Sequence, residues 1–131
     1  MGVCCIFGHR DFMGSEKVEE LFKNEIRNCL KMKIFEFYIG DNGNFDMFAT
    51  GILVTMKKQF PQIKIYLVLS YLKDVNSDIK EYRKENFDEV LYPPLEKVPF
   101  KYSIIKRNYW MIDNSDYIIF YVKYLGGAKK H

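Results

Sequence analysis

Several kinds of feature are missing from this sequence, and each absence excludes a class of protein. No run of apolar residues is long enough to cross a bilayer, so we expect no membrane segment. The cysteines Cys4, Cys5 and Cys29 are odd in number and include no C-x-x-C pair, which argues against a disulfide framework and a zinc site. We therefore expect free, buried thiols, which are typical of a cytoplasmic protein.

A strong excess of positive charge is also absent. The 20 basic and 17 acidic residues leave a net charge of +3, and the basic residues are scattered along the chain. Proteins that bind nucleic acid usually concentrate basic residues on one face, so single-stranded nucleic acid is the least favoured partner. The small excess still permits an anionic small-molecule ligand.

Complete catalytic motifs are absent as well. The sequence has no nucleophile–histidine–acid triad, no paired carboxylates, no Walker A loop and no complete G-x-G-x-x-G. Cys4 and Cys5 lie in an apolar run, where a thiol is inert. No cofactor and no metal are predicted, and the residues alone leave open whether the protein is an enzyme.

The chain does contain what one folded domain needs. Its 131 residues are 48% hydrophobic and 17% aromatic, which predicts a single domain over residues 1–131. Apolar runs alternate with segments of helical periodicity, which favours an α/β fold with a mostly parallel sheet of about five strands. The predicted strands are Val3–Phe7, Phe35–Ile39, Lys64–Leu69, Glu89–Tyr92 and Tyr117–Tyr121. The first predicted helix follows Ser15, the second runs from about Asp46 to Gln59, and the last runs from Ile104 to Asn114. The polar segment Tyr71–Asn86 is expected to be a loop, with or without a short helix.

Two of these helices have an apolar face that the spacing predicts to be buried, with Ser15 and Ser103 as candidate N-caps. The face of the first helix consists of Val18, Leu21, Phe22, Ile26, Cys29 and Leu30. The face of the last helix consists of Ile105, Tyr109 and Ile112. The last strand is not followed by another helical pattern, so we expect bare apolar surface beside it. Either the chain continues beyond this sequence or a second subunit forms a homodimer there.

Glycine turns follow three strands, and the carboxyl ends of parallel strands meet at one edge of a sheet. The turns are Gly8-His9-Arg10, Gly40–Asp46 and Gly126-Gly127. A glycine turn before a helix lets an anion approach backbone N–H groups, but Gly, Asn and Asp are also ordinary turn residues. Asp46 is either a helix N-cap or an acceptor for a ligand hydroxyl. Arg107 points either across this edge or into solvent.

Taken together and in order, these motifs resemble the SLOG superfamily, named after the Smf/DprA and LOG proteins, and most closely its small YpsA-like branch. The matching residues are Cys4-Cys5-Ile6-Phe7-Gly8-His9-Arg10, Gly40, Gly43, Phe45-Asp46, Lys106-Arg107-Asn108, Met111-Ile112-Asp113, Ser115-Asp116 and Gly126-Gly127-Ala128. The resemblance implies a Rossmann-like three-layer sandwich in which the first, second and last strands are neighbours.

The same resemblance implies a site for a nucleotide or a nucleotide-derived ligand, used for sensing or sequestering. The implied binding residues are Gly8, His9, Arg10, Gly40, Asp41, Gly43, Asp46, Arg107, Gly126 and Gly127. Phe7 replaces the usual Thr, and Asp41 replaces the second glycine of the usual pair. The LOG enzymes release a base from a nucleoside monophosphate with a catalytic Glu, and Tyr124–Lys129 lacks that motif. An N-glycosidic hydrolase that uses Asp41 or Asp46 is the alternative hypothesis.

Overall fold

A computed structural model of the protein describes residues 2–9, 12, 14–70 and 76–121. The strands are β1 (Gly2–Gly8), β2 (Ile34–Ile39), β3 (Lys64–Val68), β4 (Glu89–Leu91) and β5 (Tyr117–Tyr121). The helices are α1 (Glu16–Lys31), α2 (Asn44–Gln59), α3 (Ser77–Asn86) and α4 (Ser103–Asp113), with a 3-10 turn at Phe100–Tyr102. The predicted alternation of strands and helices is confirmed. The segment for which a loop with or without a short helix was expected contains the ten-residue helix α3.

The five strands form one parallel sheet in the order β4-β3-β2-β1-β5. Within it, Cys4 of β1 pairs with Phe37 of β2 on one side and with Tyr117 of β5 on the other. The first strand therefore lies between the second and the last, as predicted. The carboxyl ends of these three strands meet at one edge.

Side chains of the strands alternate between two apolar layers. Cys4 and Ile6 of β1 belong to the larger layer, which also contains the buried faces of α1 and α2. Cys5 and Phe7 belong to the smaller layer, where they pack with Met111 of α4. The protein is thus the predicted Rossmann-like α/β sandwich, with α1 and α2 on one face of the sheet and α4 on the other.

The predicted thiols and the first helix cap are also found. Cys4, Cys5 and Cys29 are buried free cysteines. Ser15 caps α1 by accepting a hydrogen bond from the Val18 N–H at 3.2 Å. Leu21 was predicted to be buried but is exposed, because the buried stripe of α1 is centred on residues 22, 26 and 29, about a quarter-turn away.

The predicted buried face of α4 is wrong. Ile105, Tyr109 and Ile112 are 51%, 56% and 41% exposed. The buried residues of α4 are instead Ser103, Arg107 and Met111, which recur every fourth position. Ser103 is not the N-cap either: the cap is Tyr102, and the Ser103 hydroxyl donates to the Phe100 carbonyl at 2.8 Å. A buried arginine therefore sets which face of α4 meets the sheet.

Exposed apolar side chains do occur beside β5, as the sequence predicts. Ile118 and Phe120 of that strand point to the α4 face of the sheet and are exposed. The homodimer stays a prediction. No helix in the described part of the chain is long and apolar enough to cross a membrane.

A cluster of aromatic rings fixes the start of α2 beneath the end of β1. Phe45 is buried and makes an edge contact with Phe12, whose ring centroid is 5.1 Å away. It also stacks on Tyr121 of β5, with 5.7 Å between centroids and 8° between planes. A Cβ added at Gly8 would lie 2.3 Å from the Phe45 ring. The last residue of β1 therefore has to be glycine, because any side chain there would clash with that ring. Phe45 thereby links the ends of β1 and β5 to the first turn of α2.

Truncation of Phe45 tests this linkage. We expect Phe45→Ala to lower the free energy of unfolding by about 3–5 kcal/mol, because it leaves a cavity under three elements. The control Met47→Ala removes an exposed side chain of the same helix and is expected to change stability by less than about 0.5 kcal/mol. Urea unfolding measures both values, and equal effects would contradict the proposed role of Phe45.

Candidate functional site

A crevice of about 300 Å³ opens at the carboxyl ends of β1 and β2, between the start of α2 and α4. Its polar end is formed by Gly8, His9, Gly40, Asn42, Gly43, Asp46, Arg107 and Asn108. Its apolar wall is formed by Ile6, Phe7, Ile104, Ile105, Tyr109, Met111, Ile112 and Phe120. The site is therefore amphipathic, with charged groups at one end and apolar side chains along the other.

Most of the predicted binding residues meet in this crevice. Those that line it are Gly8, His9, Gly40, Gly43, Asp46 and Arg107. Arg10, Gly126 and Gly127 lie outside the described residues. Asp41 is described but is not part of the lining, because its carboxylate forms an ion pair with Arg83 of α3 at 3.2 Å.

Arg107 is the most deeply buried charge of the site. Its side chain points to the carboxyl ends of β2 and β3, and only 4% of the residue is exposed. Nη1 donates to the Val68 carbonyl at 3.0 Å, and Nε donates to Oδ1 of Asn108 at 2.9 Å. No carboxylate of residues 2–9, 12, 14–70 or 76–121 lies within 4.0 Å of the guanidinium. Burial lowers the pKa of Arg107, and Asp46 and Asp41 oppose that shift from a distance. The guanidinium stays charged at neutral pH.

Gly40 provides the space for this guanidinium. A Cβ added at Gly40 would lie 2.4 Å from Nη1 and 2.9 Å from Cζ of Arg107. Gly8 similarly accommodates Phe45. Two glycines that were predicted for close approach of a ligand are thus also required by packing inside the protein.

Asp46 lies opposite Arg107 in the first turn of α2. The helix begins at Asn44 and its N-cap is Gly43, so the prediction that Asp46 itself is the N-cap is wrong. Its Oδ2 accepts a hydrogen bond from the Asn42 N–H at 2.9 Å, which stabilises the turn before the helix. Burial raises the pKa of Asp46, although the Asn42 N–H and the Arg107 charge act in the opposite direction. The Asp46 carboxylate is therefore partly desolvated where it lines the crevice, which disfavours its charged form.

One helix begins at the polar end of this crevice. Gly43, the N-cap of α2, lines that end and makes no side-chain capping bond. The amide groups of a helix N-terminus carry partial positive charge and favour an anion nearby. Together with Arg107, they make the polar end of the crevice suitable for an anionic group.

Several lining residues were not among the predicted site residues. Asn108 orients Arg107, and Tyr109, Met111 and Phe120 contribute to the apolar wall. The helical spacing of Ile105, Tyr109 and Ile112 did mark an apolar face, but that face borders the crevice rather than the sheet. No group of three or more His, Cys, Asp or Glu in the described part of the chain is placed to hold a metal ion.

Comparison with known proteins adds no family to this description. No protein-family model matches the sequence, and no curated protein matches it significantly. The geometry of the crevice is therefore the basis for inferring what the protein binds.

Substitution of Gly40 tests whether the buried position of the Arg107 guanidinium depends on the space at that glycine. We expect Gly40→Ala to lower the free energy of unfolding by about 1–3 kcal/mol, because the new methyl group displaces Nη1 and leaves the Val68 carbonyl without its donor. The matched control is Gly51→Ala in α2, where nothing lies within 4 Å of the added Cβ. That change is expected to stabilise the protein by about 0.5–1 kcal/mol through helix propensity. If the two variants have the same stability, Gly40 is not required to accommodate the Arg107 guanidinium.

Asp46 and Asp88 are expected to affect stability with opposite pH dependence. The pKa of Asp46 is raised in the folded protein, so the folded state binds its proton more tightly than the unfolded state does. Its contribution to the free energy of unfolding is therefore lost as the pH rises from the ordinary pKa of 3.8 through the raised value. Asp88 experiences desolvation that raises its pKa, but the hydrogen bonds from Lys57 and the Ile65 N–H outweigh it and leave the pKa lowered. Its contribution is present above 3.8 and is lost as the pH falls through the lowered value.

The measurement is urea unfolding of the wild type, Asp46→Asn and Asp88→Asn between about pH 3 and pH 7. The wild type should lose stability relative to Asp46→Asn as the pH rises. It should gain stability relative to Asp88→Asn over the same range. If the difference in unfolding free energy between the wild type and the variant changed with pH in the same direction for both variants, the environment described for Asp46 would be contradicted.

Proposed function

We propose that the crevice binds a nucleotide or a nucleotide-derived small molecule, and that the protein acts as a sensor or sequestering module. The observation that carries this proposal is the buried charge of Arg107. A buried cation is costly to desolvate, none of the described carboxylates pairs with Arg107, and an anionic ligand group at the crevice would provide a partner. The N-terminus of α2, whose N-cap Gly43 lines the crevice, favours the same group.

The apolar wall supports a ligand that is more than a simple anion. Phe7, Tyr109 and Phe120 present aromatic surface to the crevice, on which a planar base can stack. A volume of about 300 Å³ lies at the lower end of the range for small-molecule sites. A nucleotide has a phosphate that fits the polar end of the crevice and a base that fits its apolar wall, with a sugar between them.

Binding is favoured over hydrolysis by the carboxylates of the site. Glycoside hydrolases commonly use a pair of carboxylates, and Asp46 is the one carboxylate among the described lining residues. Asp41, the other candidate of the hydrolase hypothesis, is paired with Arg83. The proposal agrees with the resemblance to the YpsA-like branch of the SLOG superfamily, which implies a ligand at the same strand ends.

The setting of the protein is part of the proposal. Three buried free thiols are suited to the reducing cytoplasm. The exposed side chains of Ile118 and Phe120 are suited to a homodimer contact. Neither a membrane nor a nucleic acid is part of the proposed interaction.

The test is equilibrium binding of AMP, GMP, CMP, UMP, ADP-ribose and UDP-glucose, measured by isothermal titration calorimetry. We expect saturable binding of at least one ligand, weakened roughly 10- to 100-fold in Arg107→Gln, because a charged hydrogen bond is lost. Arg107→Lys keeps the positive charge, so its affinity should lie between those of the wild type and Arg107→Gln. Arg27→Gln, which changes an exposed arginine of α1, should bind as the wild type does.

Two results would overturn the proposal. One is that no member of the panel binds at millimolar concentration. The other is that folded Arg107→Gln, checked by circular dichroism, binds with wild-type affinity. Release of a free base in the wild-type samples, lost in Asp46→Asn, would replace the proposal by the hydrolase hypothesis.

A further inference from the structure

Two opposite charges face each other across the polar end of the crevice. Arg107 comes from α4, and Asp46 comes from the first turn of α2. Each influences the pKa of the other, yet their charged atoms are more than 4.0 Å apart. A direct ion pair would neutralise both groups. Both residues line the crevice, so a ligand bound there can contact the two at once.

Among the described residues, one hydrogen bond is made to the Asp46 carboxylate. Oδ2 accepts from the Asn42 N–H, and no donor among residues 2–9, 12, 14–70 and 76–121 bonds to Oδ1. An ionised carboxylate only accepts hydrogen bonds, so it needs a ligand that donates. The charged or titratable groups around it are Arg107 from α4, Asp41 from the preceding loop and His9 at the end of β1.

Asp46 also disfavours ligands that are only anionic. An inorganic phosphate bound to Arg107 would bring like charge close to the Asp46 carboxylate in a partly buried site. A sugar phosphate differs because it carries hydroxyl donors at a short distance from the phosphate. Such a ligand turns the carboxylate from a repulsive group into a hydrogen-bond partner.

We propose that Asp46 selects ribonucleotides, by accepting a hydrogen bond from a ribose hydroxyl while Arg107 binds the phosphate. This inference rests on the proposed function and names the sugar that the site prefers. Asp46 is thus a specificity-determining residue and does more than stabilise the turn before α2. A purely structural role predicts that loss of Asp46 changes stability but not the preference between ligands.

The experiment compares AMP, GMP, CMP and UMP with their 2′,3′-dideoxy counterparts, which keep the base and the phosphate and lack both ribose hydroxyls. For the base that binds most tightly, we expect the ribonucleotide to bind wild type about tenfold or more tightly than the dideoxynucleotide. Asp46→Ala should reduce this ratio to about one without weakening the dideoxynucleotide. Asp46→Asn, which retains the shape and an amide oxygen, should give an intermediate ratio and serves if the alanine variant does not fold.

The matched control is Asp78→Ala, which removes an exposed first-turn aspartate of α3 and should leave the ratio unchanged. Equal affinity of wild type for the two nucleotide series would overturn the inference and leave the proposed function intact. Equal weakening of both series in Asp46→Ala would also overturn it, because it would indicate a structural role. Absence of binding to every nucleotide would overturn the inference and the proposed function together.

Discussion

The hydrogen bond from the Arg107 guanidinium to the Val68 carbonyl joins α4 to the end of β3, and the arrangement of the site depends on it. Removing a guanidinium from water is costly, so each neighbour of Arg107 has to fit it closely. Gly40 leaves the space, Val68 supplies an acceptor and Asn108 fixes the Nε side. The side chain is thereby held between the carboxyl ends of β2 and β3, where a parallel sheet binds its ligands.

This burial also determines the apolar wall of the crevice. Arg107 lies one turn from Ser103 and from Met111 on the same stripe of α4, and that stripe faces the sheet. The other apolar stripe, which contains Ile105, Tyr109 and Ile112, is then turned away from the sheet. Part of it borders the crevice together with Phe120 of β5. One arginine thus gives the crevice both a charged end and an apolar side.

The strands and most of the helices could be predicted from the sequence because they depend on local periodicity, and the parallel sheet followed from the alternation of strands and helices. The place of β1 between β2 and β5 was implied by the resemblance of the motifs, and the positions of β3 and β4 in the sheet were not predicted. The buried face of α4 could not, because hydrophobic spacing treats an arginine as a surface residue. A helix that buries Arg107 is stable only with the space at Gly40 and the acceptor at Val68, and those residues are distant in the sequence. The Asp41–Arg83 pair is equally long-range, so no local pattern indicated that Asp41 points away from the crevice.

The Nε resonance of the Arg107 guanidinium in the ¹⁵N-labelled protein reports whether a nucleotide binds beside this side chain. The Nε–H group donates to Asn108, so ligand binding at the neighbouring Nη atoms should change its chemical shift. We predict a saturable shift with at least one of AMP, GMP, CMP and UMP, assigned by its absence in Arg107→Lys. A resonance that stays unchanged while a nucleotide binds elsewhere, or with every nucleotide up to millimolar concentration, would contradict the account.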